Sequence, residues 1–160
     1  GLLCLYASGN LSGFVLEIGY SQTTVVPAFD GVVLTHALSF APLGTAAIHK
    51  CIRALLAEGT EARLVNGCDA AQLSSSDIDD ALVRGCFVRE AGPVDSSQDG
   101  VSDLEILLPG GGRLWLSAAA RSRVADVMFG GSGLVPLHED KELSIARMVL
   151  DVLLKCAVDV

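Results

Sequence analysis

The sequence predicts an α/β chain built as two α+β lobes, and three observations carry that prediction. Phe14, Leu16 and Ile18 alternate with Val15 and Glu17, the period-two signature of a half-buried strand. From Gly44 to Glu58 the period changes: Ile48, Cys51 or Ile52, and Leu55 recur at helical spacing. A strand pattern then returns in Leu104-Glu105-Ile106-Leu107-Leu108 and Arg113-Leu114-Trp115-Leu116, on either side of Pro109-Gly110-Gly111-Gly112.

Taken in order, Leu2-Leu3-Cys4-Leu5-Tyr6 reads as a short apolar strand and Ala7-Ser8-Gly9-Asn10 as the turn after it. The strand 14–18 ends at Gly19-Tyr20-Ser21-Gln22. Thr23-Thr24-Val25-Val26 then leads through Pro27-Ala28-Phe29 to Asp30-Gly31, the dipeptide suited to the two positive φ angles of a type I′ turn. Val32-Val33-Leu34 is the returning strand, making about four or five antiparallel strands by residue 40. The helix that follows stops at Gly59, where a left-handed C-terminal cap is wanted.

Residues 60–66 fit neither period, and 67–73 read as a loop or a helical turn. Ser74-Ser75-Ser76 offers N-caps, and Asp77, Asp79 and Asp80 suit the first turn of a helix running to about Gly85. Ser76 and Asp79 have capping-box spacing. Cys86-Phe87-Val88 reads as a strand or the exit from that helix. The stretch 90–103, rich in Gly, Pro, Ser and Asp, reads as a mobile surface loop. After the third hairpin come a short helix over 118–127, a flexible connection over 129–137, and an amphipathic helix from about Asp140 to Ala157.

Composition narrows the function classes. With 160 residues the chain has room for one cored domain or two small lobes. An apolar share of 51% is high, which points to surface meant for a partner. A net charge of −8, with eleven Lys and Arg that cluster nowhere, argues against direct nucleic-acid binding. No apolar run reaches the roughly 18–20 residues of a bilayer span, so the expectation is a soluble, non-membrane, intracellular protein. Five separated cysteines without a CxxC read as buried free thiols, and three histidines without a ligand spacing argue against a structural metal. The opening Gly1 suggests a fragment.

Leu5-Tyr6-Ala7-Ser8-Gly9 leading to Gly13, Val26-Pro27 with Asp30-Gly31, and Leu34-Thr35-His36-Ala37 occur in an order that resembles the middle of an actin-family chain. The hairpin from Leu108-Pro109-Gly110 to Leu116, with 118–129 after it, and the ending Leu154-Lys155-Cys156-Ala157-Val158-Asp159-Val160 resemble later actin-family segments. The sequence is thus identified as a divergent member of the actin and actin-related proteins. The resemblance implies half of an actin-like ATPase of ribonuclease H-like fold. Residues 1–41 and 139–160 would be its subdomain 3 and 42–138 its subdomain 4.

The resemblance also implies a nucleotide site, ATP or ADP with Mg²⁺. The family's phosphate-binding hairpin, DSGDGVT, falls on Glu17-Ile18-Gly19-Tyr20-Ser21-Gln22-Thr23. Glu17 stands for the carboxylate that holds the cation through water, and Glu17, Gly19 and Ser21 are the candidate cofactor-binding residues. Tyr20 and Ser21 replace an Asp and a Gly, so the anion nest is degenerate. The family's Lys-Glu pair at the adenine and ribose falls on Leu82 and Val83, and its catalytic glutamine would precede Gly1. No catalytic residue and no cofactor are therefore expected in this fragment. The expected role is a structural or assembly subunit of a cytoskeletal or chromatin complex, cytoplasmic or nuclear, partnered by other actin-family or complex subunits. The alternative is a filament-forming, nucleotide-dependent ATPase.

Pro109-Gly110-Gly111-Gly112 and Gly130-Gly131-Ser132-Gly133 lack the Lys-Ser/Thr of a P-loop and read as turns. His36 reads as a structural residue and Trp115 as core.

Overall fold

The computed structural model describes residues 1–65, 73–88, 101–109, 111–130 and 144–156. The chain is α+β with antiparallel sheets, as the sequence predicts. It forms two compact units. One holds Gly1–Ala47, Met128–Gly130 and the terminal helix, and the other holds Ile48–Val127.

In the first unit, α1 (Leu2–Ala7) is followed by β1 (Gly13–Ile18), β2 (Thr23–Phe29), β3 (Val32–Val33) and β4 (Ser39–Ala41). β2 is the central strand: β1 pairs along one side, and β3 and β4 share the other, all antiparallel. The β2–β3 turn is the one predicted, with Asp30 at φ 51° and Gly31 at φ 78°. A single 3-10 turn, Thr35–Ala37, separates β3 from β4.

The first element is a helix, which corrects the strand reading of Leu2 to Tyr6. No residue of that segment is β-branched, so nothing in it opposes a helical backbone. Six residues are also too few for a period to declare itself. The helix is tied down by tertiary contacts: the Tyr6 hydroxyl donates to the Gly31 carbonyl at 2.7 Å, and Leu5 packs beside Gly13. At the other end of the chain, the helix running Ile145–Cys156 lies against β2, β4 and the 3-10 turn, burying Ile145, Met148 and Val152.

The helix predicted over Gly44 to Glu58 runs Thr45–Glu58 and is labelled α2. Gly59 follows at φ 70°, its N–H donating to the Leu55 carbonyl. In the second unit, β5 (Ala62–Val65) settles the ambiguous stretch as a strand. It is followed by α3 (Ser75–Gly85), β6 (Leu104–Leu107), β7 (Arg113–Leu116) and α4 (Ala118–Asp126), and the terminal helix is α5. β7 lies between β5 and β6, so the predicted third hairpin gains a strand.

The core of this unit joins Ile52 and Leu55 of α2, Ile78 and Ala81 of α3, Ala120 and Val124 of α4, and Ile106, Leu114 and Leu116 of the sheet. Gly85 lets α3 approach the sheet closely, since a Cβ there would stand 2.7 Å from Cδ1 of Ile106.

Two local expectations are corrected. The capping box is Ser74 with Asp77: Ser74 accepts from the Asp77 amide at 3.1 Å, and the Asp77 carboxylate accepts from the Ser74 amide at 3.1 Å. The sequence offers two S-x-x-D spacings, and the second falls inside the helix, where Asp79 is bonded to His49 Nε2 at 2.8 Å. Cys86-Phe87-Val88 joins no sheet. It leaves α3 in extended form, with the Phe87 amide on the Arg121 carbonyl.

The cysteines are mixed. Cys51 is buried, Cys86 and Cys156 are partly buried, and Cys4 is exposed, against the expectation of burial; all four are free thiols. Burial pushes the Cys51 and Cys86 thiols up to about 11. The readings of 67–72, of most of 90–103, of 131–143 and of the ending 157–160 lie outside the described residues. No described helix is long and apolar enough to cross a membrane.

Candidate functional site

The candidate residues Glu17, Gly19 and Ser21 sit at the end of β1 and in the β1–β2 turn. Antiparallel pairing continues to the last rung, Ile18 opposite Thr23, so the four residues 19–22 close a tight hairpin. The Gly19 amide donates to the Gln22 carbonyl at 2.9 Å. A Cβ at Gly19 would stand 3.1 Å from that same oxygen, which is why the smallest residue suits the position.

The turn is bolted to the start of α2. Its Gly19 carbonyl accepts from the Thr45 amide at 3.1 Å, and its Tyr20 carbonyl accepts from the Ala46 amide at 2.8 Å. The first amides of a helix have no partner within the helix, and here the hairpin's carbonyls satisfy two of them. Gly44 makes the approach possible: a Cβ there would fall 2.5 Å from both the Gly19 and Tyr20 oxygens. Beside it, the buried Thr23 hydroxyl donates to the Leu43 carbonyl. Sequence reasoning missed Gly44 and Thr45. Only the lone Gly44 immediately ahead of the helical period hinted at a close backbone approach.

This geometry is a poor phosphate cradle. A backbone anion nest needs consecutive N–H groups converging through an αR–αL pair, and none of residues 19–22 has a positive φ. The Gly19 amide is already spent, and two of the turn's carbonyls face α2. Tyr20 is 62% exposed.

Glu17 is half exposed. Among the described residues no cluster of three His, Cys, Asp or Glu side chains could hold a metal ion. At the turn itself only Glu17 offers a carboxylate, and no backbone nest faces it.

The other candidates are dispersed. Leu82 is partly buried against the core of the second unit, whereas Val83, its neighbour, is 86% exposed. The two positions face different surroundings and do not act as a pair. His36 is exposed in the 3-10 turn. Gly111, at φ 83°, donates to the Leu108 carbonyl at 2.9 Å, and Leu108 donates to Gly112 at 2.8 Å, so the described part of the 109–112 segment is the hairpin turn it was read as.

Trp115 departs from its core reading. It lies on the outward face of the second sheet, partly covered by Arg63, whose guanidinium carbon sits 4.4 Å from the ring centroid. Odd positions of β7 face outward and even positions face the core, as Leu114 and Leu116 show.

Comparison with known proteins agrees with the fold of the first unit. The family model described as actin matches residues 1–76. Actin-related protein 4 of Emericella nidulans is 40% identical over 60 residues, covering 38% of this chain and 13% of that protein. The SWI/SNF and RSC complexes subunit arp9 of Schizosaccharomyces pombe is 39% identical over 57 residues, covering 36% of this chain and 11% of its own length. The matched stretch is thus a small part of either relative. The match to the actin model is confined to residues 1–76, and the similar proteins are actin-related members.

Proposed function

We propose that this chain is part of an actin-related subunit that serves a multiprotein complex structurally, with weak or absent ATP binding. The observation that carries this reading is the β1–β2 turn. At the position where the resemblance implies phosphate contacts, the Gly19 amide is committed to the Gln22 carbonyl, and none of residues 19–22 has the positive φ of an anion nest. A closed turn of this kind favours a fixed scaffold over a nucleotide-gated one, because polyphosphate would have to displace the Gly19 bond without a nest to receive it.

In this reading residues 1–41 and 139–160 correspond to the family's subdomain 3 and 42–138 to its subdomain 4. A chromatin complex in the nucleus is favoured over a cytoskeletal one, since one relative is named as a subunit of SWI/SNF and RSC complexes. Other subunits are then the partners, and Glu17, Gly19 and Ser21 are remnants of a site.

The test is an equilibrium titration of the full-length protein with ATP and Mg²⁺. No saturation in the micromolar range is expected. Micromolar binding followed by phosphate release would overturn the proposal in favour of a filament-forming ATPase.

A further inference from the structure

The outward face of the second sheet carries a second, independent feature. Cross-strand register places Arg63, Trp115 and Glu105 in one row and Val65, Arg113 and Leu107 in the next. Directly opposed residues on a sheet touch, so each row is a set of interacting side chains. The guanidinium carbon of Arg63 lies over the Trp115 ring. Arg113 pairs diagonally with Glu105 at 2.9 Å, and both of those side chains are about half exposed. Leu107 is also exposed and Val65 is partly buried.

Arg63 is the distinctive member. Among the described residues it forms no ion pair, and it is exposed, so its five N–H donors are open to an incoming acceptor. A stacked arginine is held in one plane, so little freedom remains to be lost when it binds a carboxylate with two parallel hydrogen bonds. Tryptophan and arginine are also the side chains that most often dominate binding energy at interfaces. The face is net positive, two arginines against one glutamate, in a chain of net charge −8.

We infer that this sheet face docks an acidic segment of a partner protein, with a carboxylate on the Arg63 fork and an adjacent apolar side chain on Leu107 and Val65. Charge complementarity selects the occupant. Because the chain as a whole is acidic, recognition is local and short-range, and it contributes no long-range steering. The inference does not rest on the state of the β1–β2 turn, which lies in the other unit.

The test uses a fluorescein-labelled pentapeptide of alternating glutamate and leucine, followed by anisotropy against the full-length protein. A saturable rise is expected, absent for the same peptide with glutamine in place of glutamate. Arg63→Ala should weaken binding by about tenfold or more, as for a side chain at an interface hot spot. Arg63→Lys, which keeps the charge but not the planar fork, should weaken it less. Glu105→Gln releases Arg113 and should tighten binding, a gain that misfolding cannot produce. Arg147→Ala, an exposed arginine of the other unit, should change nothing. The inference is overturned by no saturable rise, by equal binding of the glutamine peptide, by unchanged affinity in Arg63→Ala, or by equal competition from a single-stranded oligonucleotide. None of those outcomes bears on the ATP titration.

Discussion

The two sheets are built from the same alternating pattern and meet different fates. In the second sheet the inward residues Ile106, Leu114 and Leu116 are sealed, with Leu114 and Leu116 fully buried beneath three helices. In the first sheet, Val25 of β2 is fully buried, yet its β1 partner Leu16 is 41% exposed, and Phe14 and Ile18 on the same face are exposed too. The residue types are equally apolar. The difference is cover: among the described residues α5 packs on β2 and β4, while the β1 residues of that face stay exposed. Alternation states which residues share a face, and a neighbouring element decides whether that face is dry.

This contrast sets the scale of mutational effects. Leu114→Ala should destabilise the second unit by about 2–5 kcal/mol, the usual cost of truncating a sealed core leucine. Leu16→Ala should cost less than about 1 kcal/mol. Urea unfolding of both variants checks the pair, and equal losses would break the comparison.

Gly44→Ala should cost about 1–3 kcal/mol through overpacking, because its Cβ would meet two backbone oxygens and neither can swing away. Faster hydrogen exchange at the Thr45 and Ala46 amides would report the loosened bolt between the turn and α2. Ser74→Ala removes the capping box and should cost about 0.5–2 kcal/mol, measurable as a lower thermal midpoint.

A titration effect is confined to alkaline pH. Cys51 and Cys86 have folded pKa values of about 11 against an ordinary 9.0. Between those values the unfolded chain gives up thiol protons that the folded chain keeps, so the unfolded state gains. Stability should hold below pH 9 and fall from there to pH 11, and the double variant Cys51→Ala/Cys86→Ala should flatten that decline relative to its own value at pH 7. The smallest effect is at Val83: exposed as it is, Val83→Lys should shift stability by no more than about 0.5 kcal/mol. A larger loss there would show that the position is covered in solution.

Much of the fold was legible in particular residues. Asp30-Gly31 named its turn because few dipeptides tolerate two positive φ angles. Gly59 marked the end of α2 for the same steric reason. The hairpin of β6 and β7 was visible as two alternating runs around glycines. What escaped was settled by contacts distant in sequence. The helix α1 is too short to show a period, and β5 becomes a strand by pairing with a β7 some fifty residues later in the chain. The choice between two capping boxes follows from where α3 begins, and Asp79 of the unused one meets His49 on another helix.

The candidate site divides in the same way. That Tyr20 and Ser21 stand where the resemblance implies an Asp and a Gly could be read from the sequence, as could the carboxylate of Glu17. That the turn's carbonyls are joined to the first amides of α2 could not be read, because the partners lie some 25 residues downstream and are backbone groups, which carry no sequence signature. The stack of Arg63 on Trp115 was hidden for a related reason, since register decides which residues of two distant strands face each other.

By itself the sequence determined the antiparallel hairpins of both sheets and the turns that need glycine or aspartate, because these depend on local sterics and on period. The tertiary structure decided which apolar faces are covered, where the hairpin turn is anchored, and which arginine lies on the tryptophan. Those outcomes depend on groups brought together from distant parts of the chain, and only the packed structure determines which of them meet.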